Sequence, residues 1–156
     1  MTDDVAIRTM EPADVEGALG VARALPEWFN DDGLDQMAGD LPAHDGAVAV
    51  AGGGIAGFVS WAVEGEIGEI TWIGVLPGAH RTGIGTRLIE HALDRLRKDG
   101  VTQARVETLG GSVDYEPYER TRAFYRRCGF RFLSSRMTGN PGMPESLWLH
   151  QPLDSP

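Results

Sequence analysis

At 156 residues, 42% hydrophobic and formally −9 at pH 7, the chain has the length and apolar content of one folded, soluble domain, expected over residues 1–156. Its lone cysteine, Cys128, excludes an internal disulfide and fits a reducing, cytoplasmic setting. The acidic start Met1-Thr2-Asp3-Asp4 lacks a signal peptide's apolar stretch, and no apolar run approaches membrane-spanning length, so neither secretion nor a membrane partner is expected.

Val5 to Arg8 reads as a short alternating strand. Pro12 suits the first turn of a helix, with Asp14 and Glu16 near its positive end and a stripe of Val15, Ala18, Leu19, Ala22 and Leu25 to bury. After Pro26, a second helical or turn segment is predicted from Glu27 to about Leu41, with five acids around Trp28 and Phe29. Ala47–Ala51 and Ile55–Val63 are strands joined by Gly52-Gly53-Gly54, a hairpin signal. Glu64-Gly65-Glu66 turns the chain into a central strand from Ile67 that ends before Pro77, a residue that cannot donate to a ladder. A long helix follows, with Ile84, Leu88, Ile89, Ala92, Leu93 and Leu96 at three- and four-residue spacing and Gly100 as its cap. Thr102–Leu109 is a further strand, Pro117 opens a closing helix, and Phe130–Arg136 and Ser146–His150 finish as strands around Gly139-Asn140-Pro141-Gly142. No repeat, linker or low-complexity segment interrupts this order.

Charge is unevenly spread. From Met1 to Pro77, fourteen acids stand against Arg8 and Arg23, a balance of −12. From Gly78 to Arg136, twelve bases against seven acids give +5, and the last twenty residues add −2, which restores −9. The basic stretch suits an anionic cofactor and the acidic one a cationic second substrate; as readily, both simply solvate their surfaces. The overall sign disfavours a nucleic-acid partner, and Arg120, Arg122, Arg126 and Arg127 read more simply as a solvated helix face. No Cys or His grouping has metal-ligand spacing.

Gly83 and Gly85 sit where the central strand becomes a helix. Glycines there let the backbone approach a ligand, and the first free N–H groups of the helix point at it, which makes an anion site and most often a phosphate site. The P-loop pattern fails because no Lys-Ser or Lys-Thr pair follows the last glycine, and the dinucleotide fingerprint fails because Leu88 occupies its third small position. What remains is Val75-x-Pro77-x-x-His80-Arg81-Thr82-Gly83-Ile84-Gly85. This run resembles the acetyl-CoA-binding segment of the Gcn5-related N-acetyltransferases (GNAT). Tyr118 to Phe130, with Tyr125 and a terminal Gly-Phe, is similar to that family's closing helix.

The resemblance implies a mixed, mostly antiparallel α/β (α+β) sheet flanked by helices, in the order β-α-α-β-β-β-α-β-α-β-β. It implies an acetyl-CoA-dependent N-acetyltransferase acting by direct attack in a ternary complex, with a small amine, polyamine or peptide amine as acceptor and without a metal. A non-catalytic acyl-CoA sensor is the alternative, and a homodimer is in keeping with the family. By the same resemblance the backbone from Arg81 through Thr82, Gly83, Ile84 and Gly85 to Thr86 holds the pyrophosphate. Ile73, Gly74 and Val75 bind the pantetheine arm, and the Val75 N–H polarises the thioester oxygen. His80 stands where the family has Gln or Arg, so its own part is either a hydrogen bond to the cofactor or that of a turn residue in solvent. Tyr125 matches the tyrosine that meets the sulfur and acts as general acid, and Glu69 is the candidate base.

Overall fold

The computed structural model describes residues 4–80 and 82–154, and the chain forms two compact units, Met1–Ala62 with Ile70–Arg95 and Val63–Glu69 with Leu96–Pro156. Among the described residues are seven strands and four α-helices in the predicted order, with short 3-10 turns at Pro12–Asp14 and Pro77–Ala79.

In the first unit, β1 (Val5–Thr9) pairs antiparallel with β2 (Asp45–Ala51), and β2 with β3 (Gly54–Glu64) across the glycine hairpin. Gly52 and Gly53 take φ of 59° and 81°, which a primed hairpin turn requires. The first helix, α1 (Val15–Arg23), buries Ala18, Leu19, Val21 and Ala22 against Phe58 and Val48. Asp14 stands at the start of the first helix as expected, and its carboxylate there also takes a bidentate bond from Arg8 (2.7 and 2.9 Å) and the Glu11 N–H (2.8 Å). The predicted second helical or turn segment is a turn over 26–28 followed by α2 (Asp31–Asp40), whose start is fixed by the Asn30 side chain accepting from the Gly33 N–H at 2.8 Å. Strand β4 (Ile67–Val75) begins in the second unit and ends in the first. The third helix, α3 (Ile84–Lys98), buries its whole predicted stripe, at about 1.5–3 kcal/mol for each large side chain. Ile84 and Leu88 close on Gly57 so tightly that a Cβ there would meet them at 3.3 and 3.2 Å.

The second unit pairs β5 (Gln103–Leu109) with β7 (Glu145–Pro152), and β7 with β6 (Arg131–Met137), all antiparallel. Strand neighbours thus run β1-β2-β3-β4 and then β4-β5-β7-β6, the mixed, mostly antiparallel arrangement expected. Helix α4 (Glu116–Arg127) of this unit carries Pro117 in its first turn, where the missing N–H costs nothing. Both α3 and α4 end in the same way. Gly100 and Gly129 take positive φ, the N–H groups of Val101 and Phe130 reach back to Leu96 and Tyr125, and those of the glycines to Arg97 and Arg126.

Candidate active site

Within the first unit, β4 delivers Ile73, Gly74 and Val75 to the turn that leads into α3. Gly74 lies over Phe58 and Leu25, where a Cβ would meet the Phe58 ring at 2.9 Å. The Leu76 N–H donates to the Ala56 carbonyl at 2.8 Å, which anchors the chain as it leaves the strand. His80 bends back so that Nε2 lies 2.7 Å from the Val75 carbonyl oxygen. A carbonyl only accepts, so the proton is assigned to Nε2. The imidazole also stands edge-on to Trp28, with ring centroids 5.9 Å apart. His80 is therefore a half-buried brace of the turn rather than a residue in solvent. Arg81 lies outside the described residues.

Thr82 donates its hydroxyl to the Ala79 carbonyl, and Gly83 follows with φ of 85°. The first helical bond of α3 runs from the Arg87 N–H to the Gly83 carbonyl at 3.0 Å, so the N–H groups of Ile84, Gly85 and Thr86 head the helix without a partner within it. No acidic residue occupies that first turn, and the space beside Gly78 and Gly83 is open. A positive helix end, with no acid in its own first turn and approached by side-chain-free backbone, fits an anionic group such as a phosphate.

The same unit holds an aromatic and acidic group. Phe29 and Trp72 meet at 6.1 Å, and Trp72 Nε1 donates to the Asp40 carboxylate at 2.9 Å. Trp28, Phe29 and Trp72 are each partly buried against the core of this unit. Asp31 and Asp32 have a helical role, since they occupy the first turn of α2. His44 Nδ1, Thr71 Oγ1 and Ser60 Oγ form a chain of contacts at 3.1 and 2.7 Å. Sequence alone does not signal it, because its members lie on separate elements 27 and 11 residues apart.

In the second unit Glu69 is half-buried on β4. Tyr125, 5% exposed on α4, lies between Phe124 and Phe130 at 5.6 and 5.9 Å. Burial pushes its phenol well above the ordinary tyrosine value, with smaller contributions from Tyr118 and Cys128. Burial likewise raises Tyr118, seven residues earlier on the same helix face. The expected solvated arginine face is corrected at one position. Arg120 pairs with Glu116 at 3.0 Å, but Arg122 is buried and donates to the Leu109 carbonyl at 2.7 Å, because it falls within the helix's inward stripe. A carboxylate not singled out from sequence, Glu107 on β5, accepts from Ser146 Oγ at 2.5 Å. Among the described residues no group of three or more His, Cys, Asp or Glu is placed to hold a metal.

Comparison with known proteins agrees with these features. Residues 42–132 match the family described as the acetyltransferase (GNAT) domain. A GNAT-family protein from Desulfovibrio desulfuricans superposes with a TM-score of 0.85 at 19% identity, covering 97% of this chain and all of that one. The ribosomal-protein-S18-alanine N-acetyltransferase of Escherichia coli gives 0.81 at 20% identity over 98% and 96% of the two chains. An aminoglycoside 6'-N-acetyltransferase complexed with coenzyme A gives 0.75 at 16% identity over 97% and 98%. No curated protein matches the sequence.

Proposed function

Since this chain belongs to the GNAT acetyltransferase family, and is by that membership an acetyl-CoA-dependent acyltransferase, we propose that it acetylates a cationic primary amine, a small amine or polyamine or a peptide amine, by direct attack in a ternary complex. The observation that carries the cofactor half is the Gly83 turn, where three N–H groups head α3, no acid occupies the helix's first turn and the space beside Gly83 is open. On this reading Thr82 to Thr86, with Arg81, take the pyrophosphate, the backbone of Ile73 to Val75 takes the pantetheine arm, and the Val75 N–H polarises the thioester oxygen. His80 contributes by holding the other face of that same residue, its carbonyl.

The amine must lose a proton to become a nucleophile. Glu69 accepts it, the nitrogen bonds to the acetyl carbon, and the carbon–sulfur bond breaks. The departing sulfur gains charge and takes the Tyr125 hydrogen; the second proton that the nitrogen sheds as the amide forms makes good the one Tyr125 gave, by way of solvent, and the proton on Glu69 is lost to solvent. Burial keeps the phenol loaded with its proton but also makes it a reluctant acid, so it gives the proton up only as the thiolate charge appears. The cationic acceptor is supported by the carboxylate and aromatic faces that Asp40, Trp72 and Phe29 bring together.

The test is thiol release from acetyl-CoA with polyamines, amino acids, aminoglycosides and short peptides as acceptors. Turnover confined to cationic amines supports the reading, and turnover only with neutral or anionic amines overturns it. Calorimetric binding of acetyl-CoA with silence across the whole panel would make the chain an acyl-CoA sensor. Full activity with an unchanged pH profile in Glu69→Gln would remove Glu69 from the mechanism.

A further inference from the structure

Arg122 is 7% exposed and shares the buried face of α4 with Tyr125, three residues on. Its guanidinium donates at 2.7 Å to the carbonyl of Leu109, the last residue of β5. Among the described residues no carboxylate lies within ion-pair distance of it. Glu145 is the nearby acid. Its carboxyl is held below the usual range first by the Ser112 N–H at 2.9 Å, then by the Ser112 and Ser135 side chains, and last by the Arg122 charge. Two glycines leave room for the pair. A Cβ on Gly110 would overlap the Glu145 carboxyl, and one on Gly111 would come within 3.7 Å of Arg122 Nη2.

A buried guanidinium without a close counter-ion bears a desolvation cost that a carbonyl hydrogen bond offsets only in part, so it is a poor source of stability. What it does supply is a planar fork of fixed geometry between a helix and a strand end. We propose that Arg122 is a positioning residue: by gripping the Leu109 carbonyl it fixes the rotation of α4 about its axis and so the direction of the Tyr125 phenol. This rests on the reading of Tyr125 as the group that meets the departing sulfur. Reactions of this kind lose about a hundredfold in rate for a misplacement of about 1 Å, which is the movement that a loosened helix permits.

The test is a double-mutant cycle of Arg122→Met and Tyr125→Phe, with kcat, KM for acetyl-CoA and thermal melting read for each protein. The expected result is a fall in kcat of about ten- to a hundredfold for Arg122→Met with KM within about twofold. Most of the rate returns in Arg122→Lys, whose ammonium can still donate to Leu109. In the Tyr125→Phe background, Arg122→Met costs nothing further. Losses that multiply in full across the cycle, or an unchanged kcat in Arg122→Met, overturn the positioning role while leaving Tyr125 in place. Full turnover of Tyr125→Phe alone overturns the Tyr125 reading and the positioning role with it. Should Arg122→Met fail to fold, Arg122→Gln, which keeps an amide donor, takes its place in the cycle, and the same outcomes support or overturn the role.

Discussion

Tyr125 joins two properties that pull apart, the role of general acid proposed for it and a core residue's burial. The folded protein holds its phenol above the unfolded value of about 10, so the stability linked to it is fully present below that pH and is lost as pH rises through the folded value. Thermal melting should therefore drop on going from pH 8 to above about 10, and Tyr125→Phe should flatten that drop. The same shift predicts that kcat shows no alkaline limb from this phenol within the ordinary tyrosine range. Asp14 behaves in the opposite sense. Arg8 and the Glu11 N–H hold its carboxyl low, so its contribution is present above the usual carboxylate range and fades as the pH falls through and below it. Asp14→Ala should cost about 1 kcal/mol near neutral pH, the scale of a lost helix-start cap, and lower Tm by roughly 2–4 °C. The half-exposed Arg8 side chain adds little beyond that.

Among the elements, α3 buries its apolar stripe in the core and is proposed to meet the cofactor with its first residues. Gly83 adopts a left-handed φ, so Gly83→Ala should cost about 1–2 kcal/mol of backbone strain and tilt the helix start. Raised KM for acetyl-CoA, by about tenfold, with kcat little changed is the expected kinetic signature. The apolar stripe of α3, its Gly100 end and the glycine hairpin were legible because each rests on local spacing or on one conformation only glycine adopts readily. The start of α2 stays open between helix and turn in the sequence because apolar Trp28 and Phe29 precede it, and the Asn30 cap decides it at Asp31. Arg122 was misread for a related reason. Charge suggests solvent, and only the fold shows the carbonyl that accepts from it. The glycine turn at Gly83 was legible, but the inward set of His80 was not, since nothing in its spacing announces a bond to Val75.

Taken as a whole, the chain is acidic up to Pro77 and basic over the cofactor-turn and α4 stretch that follows, and a rate measurement can read this division. Attraction of a cationic acceptor weakens as added salt shortens the screening length. KM for a polyamine or basic peptide should rise with ionic strength, while KM for a neutral amine stays flat; equal behaviour of the two would leave the acidic stretch a solvating one. The relatives named above, one acting on a ribosomal protein's alanine and one on an aminoglycoside, share the fold at 20% and 16% identity. Fold alone thus leaves the choice of acceptor to side chains, and the Asp40–Trp72 contact is the candidate that substitution would test. The edge-on contact between Trp28 and His80 gives the protein an optical reporter of its own. An indole's emission depends on the imidazole beside it, and this imidazole is tied to the carbonyl at the mouth of the turn. Any ligand that tightens or loosens that tie should alter the fluorescence without a label, and Trp28→Phe should silence the change while the other three tryptophans remain as background.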